Sequence, residues 1–482
     1  MQKSLVKNYI YNLSYEILVI LLPLITIPYL ARVLGAENLG IYSFTLSIST
    51  YFILFGSLGI ALYGKREIAF VQNDKEAYTK LFWELLILRF LSMIVSIVIF
   101  YILFVYKINE YSIYYKILLL EMFAAIIDIS WFFQGLEEFK KVVIRNTIVK
   151  LISVACIFIF VKSSDDLSIY FFIYVFGIIF GNLTLWLYLP KFLNKCKFVN
   201  LDIKKHIKPT ITLFIPQIAI QVYTVLDKTM IGAIIDDKSE VGFYDQAQRI
   251  LKILLTIITA LGAVMLPRIA SFFAGGETDK IKEYLEKSFS LVFLLSIPMI
   301  FGIFIIADDF VPIFFGNGFE RVAILMCLMS PILLLIGLSN VIGMQYLLPT
   351  KRQKEFTISI LVGAAINFLI NLLLIPTYGA LGAAVGTLVA EFCVTFTQFY
   401  FVRKDFEIMK IFKNARNYIF ASVIMFVCCI EIKIQIIQAI SIILKICIGT
   451  FIYFIFLILL KDDFLIATFQ HIKIKFKGNQ ND

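Results

Sequence analysis

The stretch TVLDKTMIGAIIDDKSEVGFYDQAQRILKIL, residues 224–254, contains two apolar runs joined by a short polar loop. Both runs also carry ionisable side chains: Asp227, Lys228, Asp245, Arg249 and Lys252. An ionisable group at the centre of a membrane costs at least about 2.5–3.5 kcal/mol, so it normally faces a partner or a water-filled cavity. The stretch therefore predicts a hairpin of two membrane helices whose charged faces have a function.

The same apolar character extends along the whole chain. Of the 482 residues, 60% are hydrophobic and 16% are charged, and the mean hydropathy is +0.90. A soluble domain is nearer half apolar and one quarter charged. A membrane helix needs about 20 mainly apolar residues. Fourteen segments meet this length, near 10–33, 39–63, 80–106, 113–135, 142–161, 168–190, 208–235, 241–267, 284–307, 322–348, 356–376, 379–402, 416–432 and 439–460.

The connections between these segments alternate in their content of Lys and Arg. One set, which includes both chain ends, carries 31 of the 44 basic residues, and the other set carries 6. Because basic residues accumulate in cytoplasmic loops, we expect both termini in the cytoplasm and an even number of spans. The net charge of +10 is then a signal of topology, and no nucleic-acid partner is predicted.

Cysteine and histidine are too scattered to predict a metal centre. The seven cysteines form no CxxC motif, and most lie within apolar segments, where cysteine acts as a small apolar residue. The two histidines, His206 and His471, are far apart in the sequence. We therefore predict no metal site and no cofactor.

An internal repeat organises the chain. GAENLGIYSF (35–44) follows the first segment, and DKSEVGFYDQ (237–246) follows the seventh. Such parallel repeats are common in transporters, which bind their substrate between the two halves. Three pairs recur at an offset of 202 residues: Gly40 with Gly242, Tyr42 with Tyr244, and Arg66 with Arg268.

The repeat predicts the domain organisation. We expect an all-α polytopic membrane protein of about 14 transmembrane helices, with two pseudo-symmetric six-helix bundles and two further C-terminal helices. The first bundle covers residues 1–205 and the second covers 206–405. Helices 13 and 14 and a cytoplasmic tail occupy residues 406–482.

Helix geometry places the charges of the quoted stretch at similar depths. At 1.5 Å per residue, Asp227 and Arg249 lie about 12 Å below the outer surface, and Lys252 lies about 16 Å below it. Asp245 and Arg249 are four residues apart and share a helix face with Lys252. One interpretation is a salt-bridged hairpin in which Asp227 neutralises Arg249 or Lys228. The favoured interpretation is the cationic wall of a cavity that binds an anionic group such as phosphate.

The first half has its own charges within predicted spans. Glu121 and Asp128 are seven residues apart in the fourth segment and are therefore predicted to share one helix face, and Lys150 lies near the middle of the fifth segment. They form either an ion pair between neighbouring spans or part of the cavity wall. Glu84 and Arg89 in the third segment are close enough to the inner surface to reach water.

Two further carboxylates are predicted positions for a coupling ion, H⁺ or Na⁺. Glu16 lies in the inner part of the first segment, and Glu391 lies near the middle of the twelfth without an evident local partner. Two amides of the eleventh segment, Asn367 and Asn371, share one helix face. They either bind sugar hydroxyls or hold helices together.

Three stretches resemble one known family. They are NYIYNLSYEILVILLPLITIPYLARVLGAENLGIYSF (8–44), LDKTMIGAIIDDKSEVGFYDQAQRI (226–250) and PTYGALGAAVGTLVAE (376–391). They resemble the first two spans, the seventh and eighth spans, and the start of the twelfth span of Wzx-type oligosaccharide flippases. These are polysaccharide transporters of the multidrug/oligosaccharidyl-lipid/polysaccharide superfamily. The resemblance extends over the whole chain and includes the count of fourteen spans.

The resemblance implies a transporter and not an enzyme. Such flippases move a polyprenyl-pyrophosphate-linked oligosaccharide from the inner to the outer leaflet of a bacterial plasma (inner) membrane, by alternating access. The product would serve the biosynthesis of O-antigen, capsule or exopolysaccharide. The expected partners are this undecaprenyl-type lipid substrate, membrane lipids, and a polysaccharide polymerase with its chain-length regulator.

Three alternatives are less well supported by the residues. Lipid II flippases usually carry several basic residues in their first two spans, where this chain has only Arg32, near the outer end of the first span, and the acid Glu16. A multidrug/cation antiporter favours acidic groups without the surplus of bases found here. A membrane polysaccharide polymerase resembles its relatives in having a large external loop, and the external connections predicted here are short.

Overall fold

The computed structural model describes residues 5–106, 110–194, 201–432 and 438–466. Side chains are described in the same ranges, except at residues 5–17, 19–20, 139, 215–217, 219–220, 222–223, 261 and 263–264. Helices account for nearly all of these residues, and the described ranges contain no β-strand. Eleven helices within them are long and apolar enough to cross a membrane. The prediction of an all-α polytopic membrane protein is confirmed.

Fewer than fourteen membrane helices are counted for two reasons. The segment Leu21–Phe70 is counted as one span, although it contains most of the first two predicted spans. The predicted spans 208–235 and 416–432 are also helical, but they are not among the eleven apolar helices. The short segment 416–432 follows charged residues, and its helix begins at Ile408.

The chain separates into two compact units, Met1–Gly242 and Phe243–Asp482. The predicted domain boundaries at 205 and 405 follow the sequence repeat instead, and they stay a prediction. The first unit contains α1 Leu5–Ser57, α2 Ile60–Phe70, α3 Lys75–Phe100, α4 Ser112–Ile126, α5 Ser130–Gly135, α6 Phe139–Phe160, α7 Leu167–Trp186 and α8 Lys204–Ile234. The second contains most of α9 Ser239–Ala274, and then α10 Thr278–Phe315, α11 Glu320–Met329, α12 Ile332–Ile342, α13 Gln353–Tyr378, α14 Ala380–Val402, α15 Ile408–Ile430 and α16 Gln438–Leu459.

The long helix α1 is divided by a kink at Gly35. The backbone there has φ 77° and ψ 173°, outside the helical region. Glycine adopts a positive φ readily because it has no Cβ atom, whereas other residues are strained there. The kink separates the first predicted span from the second. The two spans therefore belong to one helix, which bends at Gly35.

The glycines of the predicted repeat contact each other in the first unit. A Cβ atom built on Gly40 would overlap the carbonyl oxygen of Lys238, and one built on Gly242 would overlap that of Ala36. The Gly40 position would also lie 3.0 Å from the backbone nitrogen of Gly242. The contact is reciprocal, because each glycine approaches a backbone carbonyl group of the segment that carries the other glycine.

The repeated tyrosines also occupy equivalent places. The ring of Tyr42 on α1 packs against α7. Its centroid lies 5.0 Å from the ring centroid of Phe171 and 4.6 Å from that of Tyr170. The hydroxyl of Tyr244 on α9 lies 2.8 Å from the hydroxyl of Thr387 on α14. In the predicted repeat these contacts join span two to span six, and span eight to span twelve. The internal repeat is thus visible in the contacts of each unit.

The helices α13 and α14 form the most closely packed hairpin of the second unit. Side chains at every fourth position of α13 are buried against α14, and small residues of α14 allow the close approach. A Cβ atom at Gly386 would overlap Asn371, and one at Gly363 would overlap Val394. Asn367 and Asn371 are fully buried in this interface, and Asn371 donates a hydrogen bond to Asn367 at 3.2 Å. Their position favours the predicted role of holding helices together.

The helices α15 and α16 pack on α10. Tyr453 of α16 donates a hydrogen bond to the carbonyl oxygen of Leu294 at 3.0 Å. Lys445, which is 9% exposed, lies 2.6 Å from Asp309 through its ammonium group. This ion pair accounts for a charged residue within the last span by joining that span to α10.

Candidate functional site

The charged residues of the quoted stretch form an ordered face on α9. Asp245 has no exposed surface, and its Oδ2 accepts a hydrogen bond from Nε of Arg249 at 2.7 Å. The side chain of Arg249 remains 38% exposed, and Lys252 is also exposed. The carboxylate therefore fixes the guanidinium group while leaving the basic side chains accessible, an arrangement that suits an anionic ligand.

Asp227 and Lys228 lie on α8 in the first unit. Asp227 is 2% exposed, whereas Lys228 is half-buried. Arg249 has its ion pair within its own helix, with Asp245. The predicted common site of these five residues joins two separate units and stays a prediction.

Glu121 on α4 is buried among hydroxyl groups. Ser49 of α1 donates to its Oε2 at 3.0 Å, and Tyr174 of α7 donates to its Oε1 at 2.8 Å. The side chain is 7% exposed. Three helices of the first unit therefore meet at this carboxyl group.

Lys150 on α6 lines a cavity of about 300 Å³ between α6 and α7. Arg145 lies in the same wall and donates to the side-chain oxygen of Asn182 at 3.0 Å. Asn182 in turn donates to the carbonyl oxygen of Ala124 on α4 at 2.8 Å. The cavity is small for a whole oligosaccharide, but its basic and amide groups suit water or a small anion.

Asp128 is separated from Glu121 because α4 ends at Ile126. The carboxylate of Asp128 accepts a hydrogen bond from the backbone nitrogen of Ser130 at 3.0 Å, where the chain enters α5. Arg89 donates to the carbonyl oxygen of Asp128 at 3.0 Å and lies 3.7 Å from its carboxylate. The predicted common helix face of Glu121 and Asp128 is wrong, since the helix breaks between them.

The structure locates one of the two predicted coupling-ion residues. Glu391 lies on α14 and is 8% exposed. Its helix also carries Thr395, which donates to the carbonyl oxygen of Leu335 at 3.0 Å. The side chain of Glu16 lies outside the described residues. No group of three or more metal-binding side chains occurs among the residues that the structure describes.

Sequence reasoning missed a polar network at the predicted cytoplasmic end of the first unit. Glu84 was predicted to reach water, but it is 1% exposed, and Arg89 is 4% exposed, so that prediction is wrong. The Oε2 of Glu84 lies 2.8 Å from Nε2 of His206 and 3.0 Å from the ammonium group of Lys205. The hydroxyl of Tyr63 lies 2.9 Å from the other ring nitrogen of His206.

This network adjoins a second cavity of about 460 Å³. Its wall includes Lys80 and Glu67 in addition to the network residues. Glu84 and His206 are more than a hundred residues apart, so no local spacing in the sequence signals their contact. The only available signal was the rarity of histidine, since His206 is one of two in the chain.

Comparison with known proteins agrees with this architecture. The solved structure of the lipid II flippase MurJ in an inward closed conformation superposes with a TM-score of 0.75 over 95% of this chain and all of that one, at 17% identity. An inward-facing multidrug resistance MATE family transporter superposes with a TM-score of 0.61 over 82% of this chain and 96% of the other, at 12% identity. At these identities the likeness concerns the fold.

Curated relatives extend the likeness to sequence. A protein of Escherichia coli K12 whose name assigns it to O-antigen transport is 26% identical over 83% of this chain and 97% of its own length. A capsular polysaccharide biosynthesis protein of Staphylococcus aureus is 23% identical over 83% of this chain and its full length. A profile described as MatE matches residues 213–377. The profile of the family described as Polysaccharide biosynthesis protein matches residues 5–273, more than half of the sequence, and the chain therefore belongs to that family.

Proposed function

We propose that the protein flips polyprenyl-pyrophosphate-linked oligosaccharide repeat units from the cytoplasmic to the outer leaflet of the plasma membrane. The repeat units would supply the synthesis of a surface polysaccharide such as O-antigen, capsule or exopolysaccharide. The protein works by alternating access and is a transporter, not an enzyme. Both termini lie in the cytoplasm, and a polymerase with its chain-length regulator uses the product.

The family match carries this proposal. It covers more than half of the chain, and relatives named for O-antigen transport and capsule biosynthesis align over nearly their whole lengths. The many apolar helices support a multi-pass transporter. A lipid-linked substrate fits this setting, because its tail can stay in the bilayer while the polar part crosses.

The basic face of α9 supports recognition of the pyrophosphate. A guanidinium group binds phosphate oxygens in a bidentate manner, and an ammonium group acts as a point charge. Arg249 is oriented by the buried Asp245, and Lys252 lies one turn further along the helix. We assign the pyrophosphate to these two bases.

Neutralising the basic face is expected to impair flipping. In Arg249→Gln/Lys252→Gln, two charge-assisted interactions with pyrophosphate are lost, each worth about 1.5–3 kcal/mol. Transport of the lipid-linked oligosaccharide should fall by at least about 100-fold at low substrate concentration, since 1.4 kcal/mol is tenfold in an equilibrium constant. The assay uses liposomes that contain a fluorescent polyprenyl-pyrophosphate oligosaccharide and scores its access to an external glycosidase.

A matched control is Lys287→Gln, which removes an exposed base from α10 that pairs with Glu283. This variant should transport like the wild type, with insertion verified for each protein. Equal transport by wild type and Arg249→Gln/Lys252→Gln would leave the flippase proposal intact and refute the pyrophosphate assignment. If the wild type moves no oligosaccharide lipid with or without an ion gradient, the proposed function is refuted.

Lipid II is the second candidate substrate, because the MurJ fold covers 95% of the chain. The same liposomes loaded with lipid II separate the two substrates directly. Both carry polyprenyl pyrophosphate, so the comparison tests recognition of the sugar part. We expect the oligosaccharide lipid to be transported faster.

A further inference from the structure

Glu121 is a buried acid in the first unit whose described partners are not bases. Its two carboxylate oxygens accept hydrogen bonds from Ser49 and Tyr174, and only 7% of the residue is exposed. Asp128, the other acid of the same predicted span, pairs with Arg89. A carboxyl group held by hydroxyl groups can gain or lose a proton without breaking an ion pair.

A polar cavity reaches this carboxyl group through one side chain. Tyr174 lines the cavity of about 300 Å³ between α6 and α7, and its hydroxyl group also donates to Glu121. Hydroxyl groups both donate and accept hydrogen bonds, so they can pass a proton between water and an acid. Tyr174 therefore connects the space that water can occupy with the buried acid.

Ser49, the second hydrogen-bond partner of Glu121, connects this carboxyl group to the packing of α1 on α8. Ser49 lies on the part of α1 that follows the kink at Gly35. Two residues earlier, on the other side of α1, the hydroxyl of Ser47 lies 2.8 Å from the hydroxyl of Thr229 on α8. A change in the bonding of Ser49 thus acts on the segment of α1 that contacts α8.

We propose that Glu121 is the proton-exchange site of this transporter. The carboxylate takes a proton from Tyr174, which takes one from a hydronium ion in the cavity, so that carboxylate plus hydronium gives the neutral acid plus water. The neutral acid has an O–H group of its own, so Ser49 or Tyr174 must change from donor to acceptor. The coupling role rests on the proposed transport function, whereas the protonation of Glu121 does not.

Charged and titratable groups face this site from each neighbouring helix. Those on α6 are basic and line the cavity, and the one on α3 is paired with Asp128. The groups are Tyr42 on α1, Arg89 on α3, Arg145 and Lys150 on α6, and Tyr170 and Tyr174 on α7.

Infrared difference spectroscopy tests the proposal on the full-length protein in lipid nanodiscs, without any oligosaccharide lipid. A pH titration should reveal a carbonyl band of a protonated carboxyl group that is lost in Glu121→Gln. The control Glu283→Gln removes an exposed carboxylate and should retain the band. A wild-type protein without such a band, or a Glu121→Gln variant that keeps it, overturns the proposal. Because no substrate is present, this result stands apart from the proposed flippase activity.

Two positioning variants provide a readout that a purely structural role would not change. Tyr174→Phe and Ser49→Ala each remove one hydrogen bond that stabilises the ionised form. The midpoint of the infrared titration should move to higher pH by about one unit or more in each variant. An unchanged midpoint in both variants would overturn the assigned roles. In the liposome assay, Glu121→Gln should abolish acceleration of transport by a pH gradient, and acceleration that persists would refute the coupling.

Discussion

Replacement of Gly40 by alanine is expected to abolish efficient transport, because the added methyl group has no space. A Cβ atom at this position would overlap the carbonyl oxygen of Lys238. The obstacle is backbone and cannot move aside as a flexible side chain would. Overpacking costs about 1–3 kcal/mol, and a backbone clash belongs at the upper end of that range. The contact between α1 and the start of α9 should open.

The alanine should lower the population of the conformation that contains this contact by about 100-fold. A cost of about 3 kcal/mol corresponds to that factor, because 1.4 kcal/mol is a factor of ten in an equilibrium constant. Transport in the liposome assay should fall by a similar factor if this state belongs to the transport cycle. The apparent midpoint of thermal unfolding should fall as well. Gly242→Ala should behave alike, because its Cβ atom would overlap the carbonyl oxygen of Ala36. The double variant Gly40→Ala/Gly242→Ala should lose less free energy of unfolding than the two single variants together, since both changes disturb one contact.

Gly302→Ala is the matched control. Gly302 lies within α10, and a Cβ atom added there meets no atom within 4 Å. Alanine has the higher helix propensity, so this variant should be neutral or slightly stabilising. If Gly40→Ala has the same unfolding midpoint and transport rate as Gly302→Ala, the close contact between α1 and the start of α9 is not required for stability or transport.

The repeat could be predicted from the sequence because the same residue types recur at one constant offset along the chain. Gly40 with Gly242 and Tyr42 with Tyr244 recur at one offset, and both pairs occupy equivalent places in the structure. The helices were equally predictable, since membrane spans are long and apolar. Helical spacing placed Asp245 and Arg249 on one face, where they form an ion pair, although the sequence interpretation named Asp227 as the partner of Arg249.

Contacts between distant helices could not be predicted in this way. The partners of Glu121 come from α1 and α7, at separations of 72 and 53 residues. The break between α4 and α5 at residues 127–129 was also hidden, because the sequence there contains neither proline nor glycine and its one charged residue, Asp128, fits a continuous helix equally well. Asp128 was therefore placed on the same helix face as Glu121. An apolar pattern predicts that a segment is buried in the membrane, but it does not specify which side chains meet.

Replacement of Glu84 by alanine is the second large effect that we expect. Its Oε2 lies near Nε2 of His206 and the ammonium group of Lys205, and its Oε1 accepts a hydrogen bond from the backbone nitrogen of Asp202 at 2.8 Å. These partners all belong to the segment that leads into α8, whereas Glu84 belongs to α3. One buried carboxylate thus holds the start of α8 in the first unit.

Removing the carboxylate leaves a ring nitrogen of the buried His206 without its hydrogen-bond partner, and a buried polar group that loses its partner costs about 1–3 kcal/mol. Lys205 is 47% exposed, so water can replace the contact that it loses. Glu84→Ala should therefore lower the apparent unfolding midpoint of the purified protein strongly. Glu84→Gln keeps an acceptor for the backbone nitrogen of Asp202 and loses the charge, so its effect should be intermediate. We therefore expect Glu84→Ala to be the least stable protein, Glu84→Gln to be intermediate and the wild type to be the most stable.

The comparison with Glu283→Ala separates burial from charge. Glu283 also pairs with a lysine, Lys287, but its side chain is 60% exposed. Exposed ion pairs contribute little because water and salt screen them, so this variant should unfold like the wild type. Equal unfolding midpoints for Glu84→Ala and Glu283→Ala would contradict the anchoring role, since Glu84 is buried with several partners and Glu283 is exposed with one. A large loss for Glu84→Ala alone would mean that the entry to α8 is held from α3, and that His206 is retained as a structural partner of Glu84.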